Sequence, residues 1–459
     1  ADELSLAVTR AKSRNNEQHP DKTTNVVYGK YHSENDTQLI SANYRKRFDQ
    51  WAVNAYLLTG QVETVFSDEA SRKYTWSGDY TLKSDSTQGE LSDKSRFTLD
   101  DEVIRGRVGG QYFWDNNNSL NLNLTYDETE RRGHDSLNAN NRAFSTPNWI
   151  RKSVFAAAWD SKDLVSGLDI NLFAKNYLYK GEINARTLVG FEYRDEQTDV
   201  SIDKFGYGSA ASYQANDNLL FKASYERAYR LPQAQEILGT GQYVKPNPEL
   251  QPEQSDNVNL GAKFEIDGES TMQMFEANLF YRDSIDFIYY YADQVVYGLY
   301  TNKQNVETRG IEASYYLNLF GGYSLQLNAT YQDLINRSRV DKDGDLDRNY
   351  GKRMPNEPYL FANARLSSDF ELAGNSLTLM WTTSFVEQFY LHWADAGDKS
   401  TKHQIPSHIT HDLDLTLSPG DGDYQFTLSA RNLLDERVFD NYKIEKPGRA
   451  IYLKFRYLY

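Results

Sequence analysis

The chain has 459 residues, no cysteine and a formal net charge of -15, from 65 acidic and 50 basic residues. The lack of thiols excludes a disulfide framework and any thiolate metal site, and the acidic balance argues against a nucleic-acid partner, which needs a positive field. Tyrosine reaches 34 and phenylalanine 22 in a chain that is only 39% hydrophobic, with mean hydropathy -0.72, a mixture suited to two-sided strands with aromatic ends.

No run of about 18 uncharged apolar residues occurs, the length that a membrane-spanning helix requires. The opening "ADELSLAVTR" lacks the basic start and the continuous apolar stretch of an export signal. Helical periodicity is hard to find anywhere, whereas period-two alternation recurs along the whole chain. In chain order it predicts strands at 24–33, 36–47, 51–63, 99–113, 119–128, 149–160, 167–180, 203–214, 217–230, 254–266, 271–284, 306–319, 323–333, 358–370, 376–390, 406–418, 422–432 and 450–459, with more at 71–82 and 185–197. In "LNLNLTY" Leu120, Leu122, Leu124 and Tyr126 oppose Asn121, Asn123 and Thr125, and in "HDLDLTL" Leu413, Leu415 and Leu417 oppose Asp412, Asp414 and Thr416.

Short connections near 214–218, 266–270, 320–322, 371–375 and 418–423 are rich in turn formers. Between them fall long ones at 231–253, 285–305, 334–357, 391–405 and 433–447. A soluble sandwich has no reason to sort its loops in this way. An up-and-down outer-membrane barrel does, with tight turns at one rim and long extracellular loops at the other. Strands of about 10 residues also match a tilted bilayer crossing. The fold class expected is therefore all-β: a transmembrane antiparallel up-and-down barrel in contact with outer-membrane lipid.

The final segment "RAIYLKFRYLY" fits this reading. Ile451, Leu453, Phe455, Tyr457 and Tyr459 should meet lipid while Lys454 and Arg456 point into a wet lumen. Closure requires the last strand to pair with the first, which is placed near "NVVYGKYHS".

Residues 217–261 contain Tyr229, Arg230, Pro232 and Glu236, then Asn247, Pro248, Leu250, Pro252, Glu253 and Asn257. This spacing resembles the aromatic-Arg-x-Pro and Asn-Pro-x-Leu-x-Pro-Glu motifs of TonB-dependent outer-membrane receptors. The tail, with Pro447, Gly448 and Arg449, is similar to the C-terminal barrel of such receptors from Bacteroidetes-type bacteria. The resemblance covers most of 24–459 and implies 22 strands, a plug domain inside the barrel, and energisation by the TonB complex acting on that plug. Residues 1–23 are too few for a plug, so they read as a plug remnant or a periplasmic lead-in, with the plug itself largely absent from this chain.

No enzyme signature occurs: there is no phosphate loop, no His-Glu-x-x-His and no nucleophile elbow. "GYGSA", with Gly206, Gly208 and Ser209, reads as small-residue barrel wall. "DKDGDLD" alternates Asp341, Asp343, Asp345 and Asp347 around Gly344. That pattern could converge oxygens on a structural Ca²⁺, though it lacks the bidentate Glu of a complete calcium loop and otherwise is a solvated tip; no cofactor is required. Loop aromatics are the better pointer to ligand: Tyr289, Tyr290, Tyr291, Tyr297 and Tyr300, then Phe389, Tyr390, His392 and Trp393. Such rings cover a bulky organic chelate and hydrogen-bond to it; otherwise they form an interfacial girdle. Haem receptors of the family carry a histidine between the two motifs, and Gln233–Pro246 has none. His392, His403, His408 and His411 follow no trusted ligand spacing.

The resemblance thus implies uptake of a scarce bulky solute, a ferric siderophore or similar chelate. A plugless diffusion pore and a barrel that docks surface lipoproteins are the alternatives.

Overall fold

Eighteen strands of eight residues or more carry the described chain. The computed structural model describes residues 2–19, 27–69, 72–74, 80–82, 94–137, 144–189, 192–240, 244–292, 298–340, 344–391, 393, 403–420, 423–441 and 444–457. The long strands are β1 (Asp2–His19), β2 (Val27–Arg47), β3 (Trp51–Asp68), β4 (Ser95–Phe113), β5 (Asn118–Asp135), β6 (Phe144–Val165), β7 (Leu168–Val189), β8 (Glu192–Asn216) and β9 (Leu219–Arg230). They continue as β10 (Glu253–Asp267), β11 (Thr271–Ala292), β12 (Gly298–Leu319), β13 (Tyr323–Asn336), β14 (Leu360–Leu372), β15 (Asn375–Val386), β16 (His408–Ser418), β17 (Tyr424–Arg431) and β18 (Ala450–Tyr457). With the short strand Val244–Lys245 they make a sheet of 19 strands among the described residues, against the 22 that the resemblance implies for a whole barrel. The only helix among the described residues is α1 (Ala234–Leu238), and no described helix is long and apolar enough to cross a membrane.

The chain forms two compact units. One comprises Ala1–Ala211, Tyr225–Asp256 and Ser284–Asn305; the other comprises Ser212–Ser224, Asn257–Asp283 and Val306–Tyr459.

In the first unit β1 to β7 form an antiparallel ladder in which each strand pairs with the next. The register joins Leu4, Tyr44, Ala55, Val108, Leu124 and Phe155 into one cross-strand row. One residue along, the row reads Glu3, Arg45, Asn54, Gly109, Asn123, Ala156 and Lys175. Because side chains alternate between faces, the first row lies on an apolar outer face and the second on a polar inner one. Leu4 is 67% exposed, Val108 54%, Leu124 47% and Phe155 50%, so no protein covers the apolar face. In water such a band would be a severe liability, whereas in a bilayer it is the stable arrangement.

The second unit repeats the design in β12 to β18. Leu317, Leu325, Leu366, Trp381, Leu413, Ala430 and Ile451 form one row. Tyr316, Gln326, Arg365, Thr382 and Asp412 form the next. In β18 the apolar set Ile451, Leu453, Phe455 and Tyr457 pairs with Ala430, Leu428, Phe426 and Tyr424, while Lys454 and Arg456 pair with Thr427 and Gln425.

Connections alternate along the chain as the turn residues imply. Only 48–50, 114–117, 166–167, 217–218, 268–270, 320–322, 373–374 and 419–423 separate the strands of one kind of hairpin. The other connections include the long segments 69–94, 231–252, 337–359, 387–407 and 432–449.

Four expectations are corrected. Residues 2–19, read as a lead-in, form β1 and pair with β2 along nearly their whole length; polar substitutions such as Lys12, Ser13 and Arg14 hide the period at its end. The separate strands placed at 24–33 and 36–47 are one strand, β2, because the polar run "HSENDTQ" continues the ladder above the apolar zone instead of turning. β2 has β1 on one edge and β3 on the other, so "NVVYGKYHS" is not the partner of the last strand. The long link placed at 285–305 is also mostly strand, since β11 runs to Ala292 and β12 starts at Gly298.

Candidate functional site

The connection between β9 and β10 folds back onto the inner face of the first unit. Pro232 forbids continuation of the β9 ladder by removing a backbone donor, and two residues later α1 begins. Glu236 organises that start: its carboxylate accepts the Gln233 amide at 2.7 Å, and Arg230 donates to its other oxygen. Glu236 is only 3% exposed, so this pairing is what makes its burial tolerable. The helix ends at Gly239, whose φ of 70° places it in the left-handed region and where an added Cβ would meet the Val244 carbonyl.

Ile237, Leu238 and Leu250 then become fully buried against Ile150, Tyr177, Tyr179 and Ile183. Each such side chain contributes on the order of 1.5–3 kcal/mol. Val244–Lys245 pairs in parallel with Gly298–Leu299. Asn247 donates from Nδ2 to the Tyr300 carbonyl at 2.8 Å, and its own amide donates to the Ile237 carbonyl at 3.0 Å. Asn302 accepts from the Gln251 amide at 2.9 Å and donates to the carbonyls of Gln251 and Asp286 at 3.0 and 2.7 Å. Glu253, at the start of β10, is buried within reach of the Ser284 hydroxyl and the Ile288 amide.

Tyr229, Arg230, Pro232, Glu236, Asn247, Leu250, Pro252 and Glu253 thus belong to one folded strap. Two strand residues absent from the sequence reading secure it. Arg131 of β5, buried, clamps Asp101 of β4 through Nε and Nη2, both at 2.6 Å, and donates from Nη1 to the Gly239 carbonyl at 2.5 Å. The signal was present as an Arg-Arg pair at 131–132, where only the first residue lies on the inner face.

The loop aromatics divide. Tyr290 and Tyr300 pack on each other with ring centroids 5.4 Å apart, and Tyr300 lies against the strap's apolar cluster. Tyr289 is half-buried with a partner of its own and Tyr291 is exposed; Tyr297 lies outside the described residues. In the second unit Phe389 is buried and pairs with the fully buried Ile405, which makes it a core residue of its loop. The Tyr390 carbonyl accepts the Asn356 amide at 2.7 Å, so two loops interlock there. Trp393 is half-buried and partnered, and His392 lies outside the described residues. Arg449 donates its amide to Asp435 at 2.7 Å, and a Cβ on Gly448 would meet the same carboxylate at 2.7 Å. That close approach accounts for the glycine at 448.

Of the acidic loop, Asp341 and Asp343 lie outside the described residues. Asp347 accepts from Asn336 Nδ2 at 3.0 Å and from the Asn349 amide at 2.8 Å, so both its oxygens serve the loop itself. Among the described residues no three acidic or imidazole groups converge as metal ligands would.

A family model described as "TonB dependent receptor-like, beta-barrel" matches residues 5–433. Among solved structures, the chain is similar to the ferric yersiniabactin uptake receptor FyuA from Yersinia pestis, with a TM-score of 0.68 and 13% identity over 99% of this chain and 66% of that one. It is similar to the siderophore receptor PiuA from Acinetobacter baumannii, with a TM-score of 0.73 and 12% identity over 99% and 72%. A third is the copper transporter OprC, with a TM-score of 0.70 and 12% identity over 99% and 69%. The chain spans about two thirds of the length of these proteins. No curated protein matches it in sequence.

Proposed function

The chain belongs to the TonB-dependent receptor-like β-barrel family of the outer membrane, and from that premise we propose that it is the barrel of an active-transport receptor for a scarce, bulky solute of the ferric-siderophore class. The observation that carries the reading is the match over residues 5–433. The siderophore receptors among its structural neighbours support the choice of solute class. The outer apolar face seats the barrel in lipid, and the strap offers a fixed, polar-lined surface on the inner wall for a ligand. On this reading, energy coupling runs through a plug domain pulled by the TonB complex.

Uptake of ⁵⁵Fe-loaded siderophores by cells with and without the intact gene tests this. Loss of uptake of one chelate on deletion of this gene, and equally on deletion of TonB, is the expected result. Unchanged uptake across a catecholate, hydroxamate and carboxylate panel, together with steady ion conductance of the native protein in a planar bilayer, would establish the diffusion pore instead. Co-purification of a surface lipoprotein with unchanged uptake would establish the docking platform.

A further inference from the structure

Beneath α1 the inner face carries more positive charge than its carboxylates neutralise. Arg105 of β4, Asp127 of β5 and Lys152 of β6 are register partners in one row, and Tyr179 of β7 is the next member. The two carboxylates that act on Lys152 are Asp127 and Glu236. Each is held by an arginine: Arg105 Nε lies 2.9 Å from Asp127, and Arg230 pairs with Glu236. Lys152 itself donates at 3.1 Å to a neutral acceptor, Gln233 Oε1 at the start of the strap. Among the described residues three cations therefore face two anions, and the lysine has only a side-chain amide oxygen.

The neighbouring Tyr179 adds an independent observation. Its side chain is fully buried, and its hydroxyl has no hydrogen-bond partner among the described residues. A buried hydroxyl without a partner costs free energy of about 1–3 kcal/mol, so a partner at that position relieves a real penalty. An ammonium with a neutral acceptor and a hydroxyl with none both favour an acceptor-rich, negatively charged guest.

We propose that Lys152, with Arg105 and Arg230 around it and Tyr179 as its register partner, forms an oxyanion subsite on the inner wall under the strap, taking a carboxylate or phosphate group. The inference rests on the receptor reading for its source, since the group arrives either as part of a metal chelate or as a free anion. The strap fixes the subsite, because Gln233 and Arg230 reach it from the segment that Glu236 organises.

The test is calorimetric titration of the intact protein in detergent with inorganic phosphate, citrate, ferric citrate and, as an uncharged control, maltose. Lys152→Gln is expected to weaken anion binding about tenfold, the loss of one charge-assisted hydrogen bond, and Lys152→Arg to restore most of it. Lys263→Gln, a lysine paired with Glu265 near the 268–270 turn, should bind as the parent does. Binding of phosphate and citrate with this pattern marks a free-anion site; binding of ferric citrate alone marks a chelate-borne group. Equal affinities in parent and Lys152→Gln, or no anion binding by a parent shown folded by its heat-modifiable electrophoretic mobility, overturns the subsite. Uptake does not enter this measurement, so the subsite can stand where the transport reading fails, and the reverse.

Discussion

Arg131 donates to the carbonyl of Gly239 across 108 residues of sequence, and the same guanidinium clamps Asp101 on the neighbouring strand. This one side chain ties the barrel wall to the end of α1. Removing it strands a partly buried carboxylate, a change that typically costs about 3–5 kcal/mol where a buried pair is broken. Arg131→Ala should therefore raise amide hydrogen exchange through residues 234–250 by two orders of magnitude or more, while β1 to β3 keep their protection. Arg131→Ala with Asp101→Asn should recover part of the loss. Unchanged exchange in the strap would show that its apolar cluster holds it without the latch.

Gly208 gives a packing test. A Cβ there would lie 2.5 Å from both the ring of Phe173 and the carbonyl of Tyr225, and the backbone carbonyl cannot move aside as a flexible side chain would. Gly208→Ala should destabilise by about 1–3 kcal/mol, the usual range for overpacking, seen as a lower temperature for loss of heat-modifiable mobility. Gly268→Ala, where the nearest atom is 3.4 Å away, serves as the tolerated comparison.

The two faces of β5 can be separated by adjacent substitutions. Leu124→Arg places a charge on the lipid side and should cost about 2–4 kcal/mol near the bilayer midplane. Asn123→Arg, one residue away on the inner side, should cost less than about 1 kcal/mol. Folded fraction after refolding into lipid vesicles over a urea series measures both. Equal penalties would contradict the assignment of faces.

The 114–117 turn supplies a pH dependence. Asp115 is held below its ordinary value, first by the Asn118 side-chain amide and then by the Asn117 backbone amide. A carboxyl with a depressed folded pKa stabilises the turn fully above its unfolded value and loses that contribution as pH falls through the folded one. Protection of the Asn117 and Asn118 amides should therefore drop on acidification below the usual carboxylate range, and Asp115→Asn should abolish the pH dependence. A profile that is flat in the parent would remove the carboxylate from the account of the turn.

How much was legible varies from residue to residue. Leu120, Leu122 and Leu124 announced an outer face because period two is a local property of the chain, written wherever one side meets lipid and the other water. The polar residues of β1 and of "HSENDTQ" concealed strand, because above the bilayer both faces meet water and alternation carries no free-energy advantage. Pro232, Glu236 and Asn247 were visible as a motif, yet their role as the frame of an inward strap was not. The aromatic run from Tyr289 to Tyr291 looked like loop and proved to be strand end, with Tyr290 packed on Tyr300.

By itself the sequence determined the class of the protein: strands of alternating polarity, short and long connections in turn, no spanning helix, and the two spaced motifs of a receptor family. Each of these depends on residues close in the chain, whose solvent preferences act locally. Only the tertiary structure decided that Arg131 meets Gly239, that Phe389 is loop core, and that Lys152 sits in a row with Arg105 while its nearest carboxylates are already paired. Those relations join residues tens to more than a hundred positions apart, and they exist only once strand register and the fold of the strap have brought the side chains together.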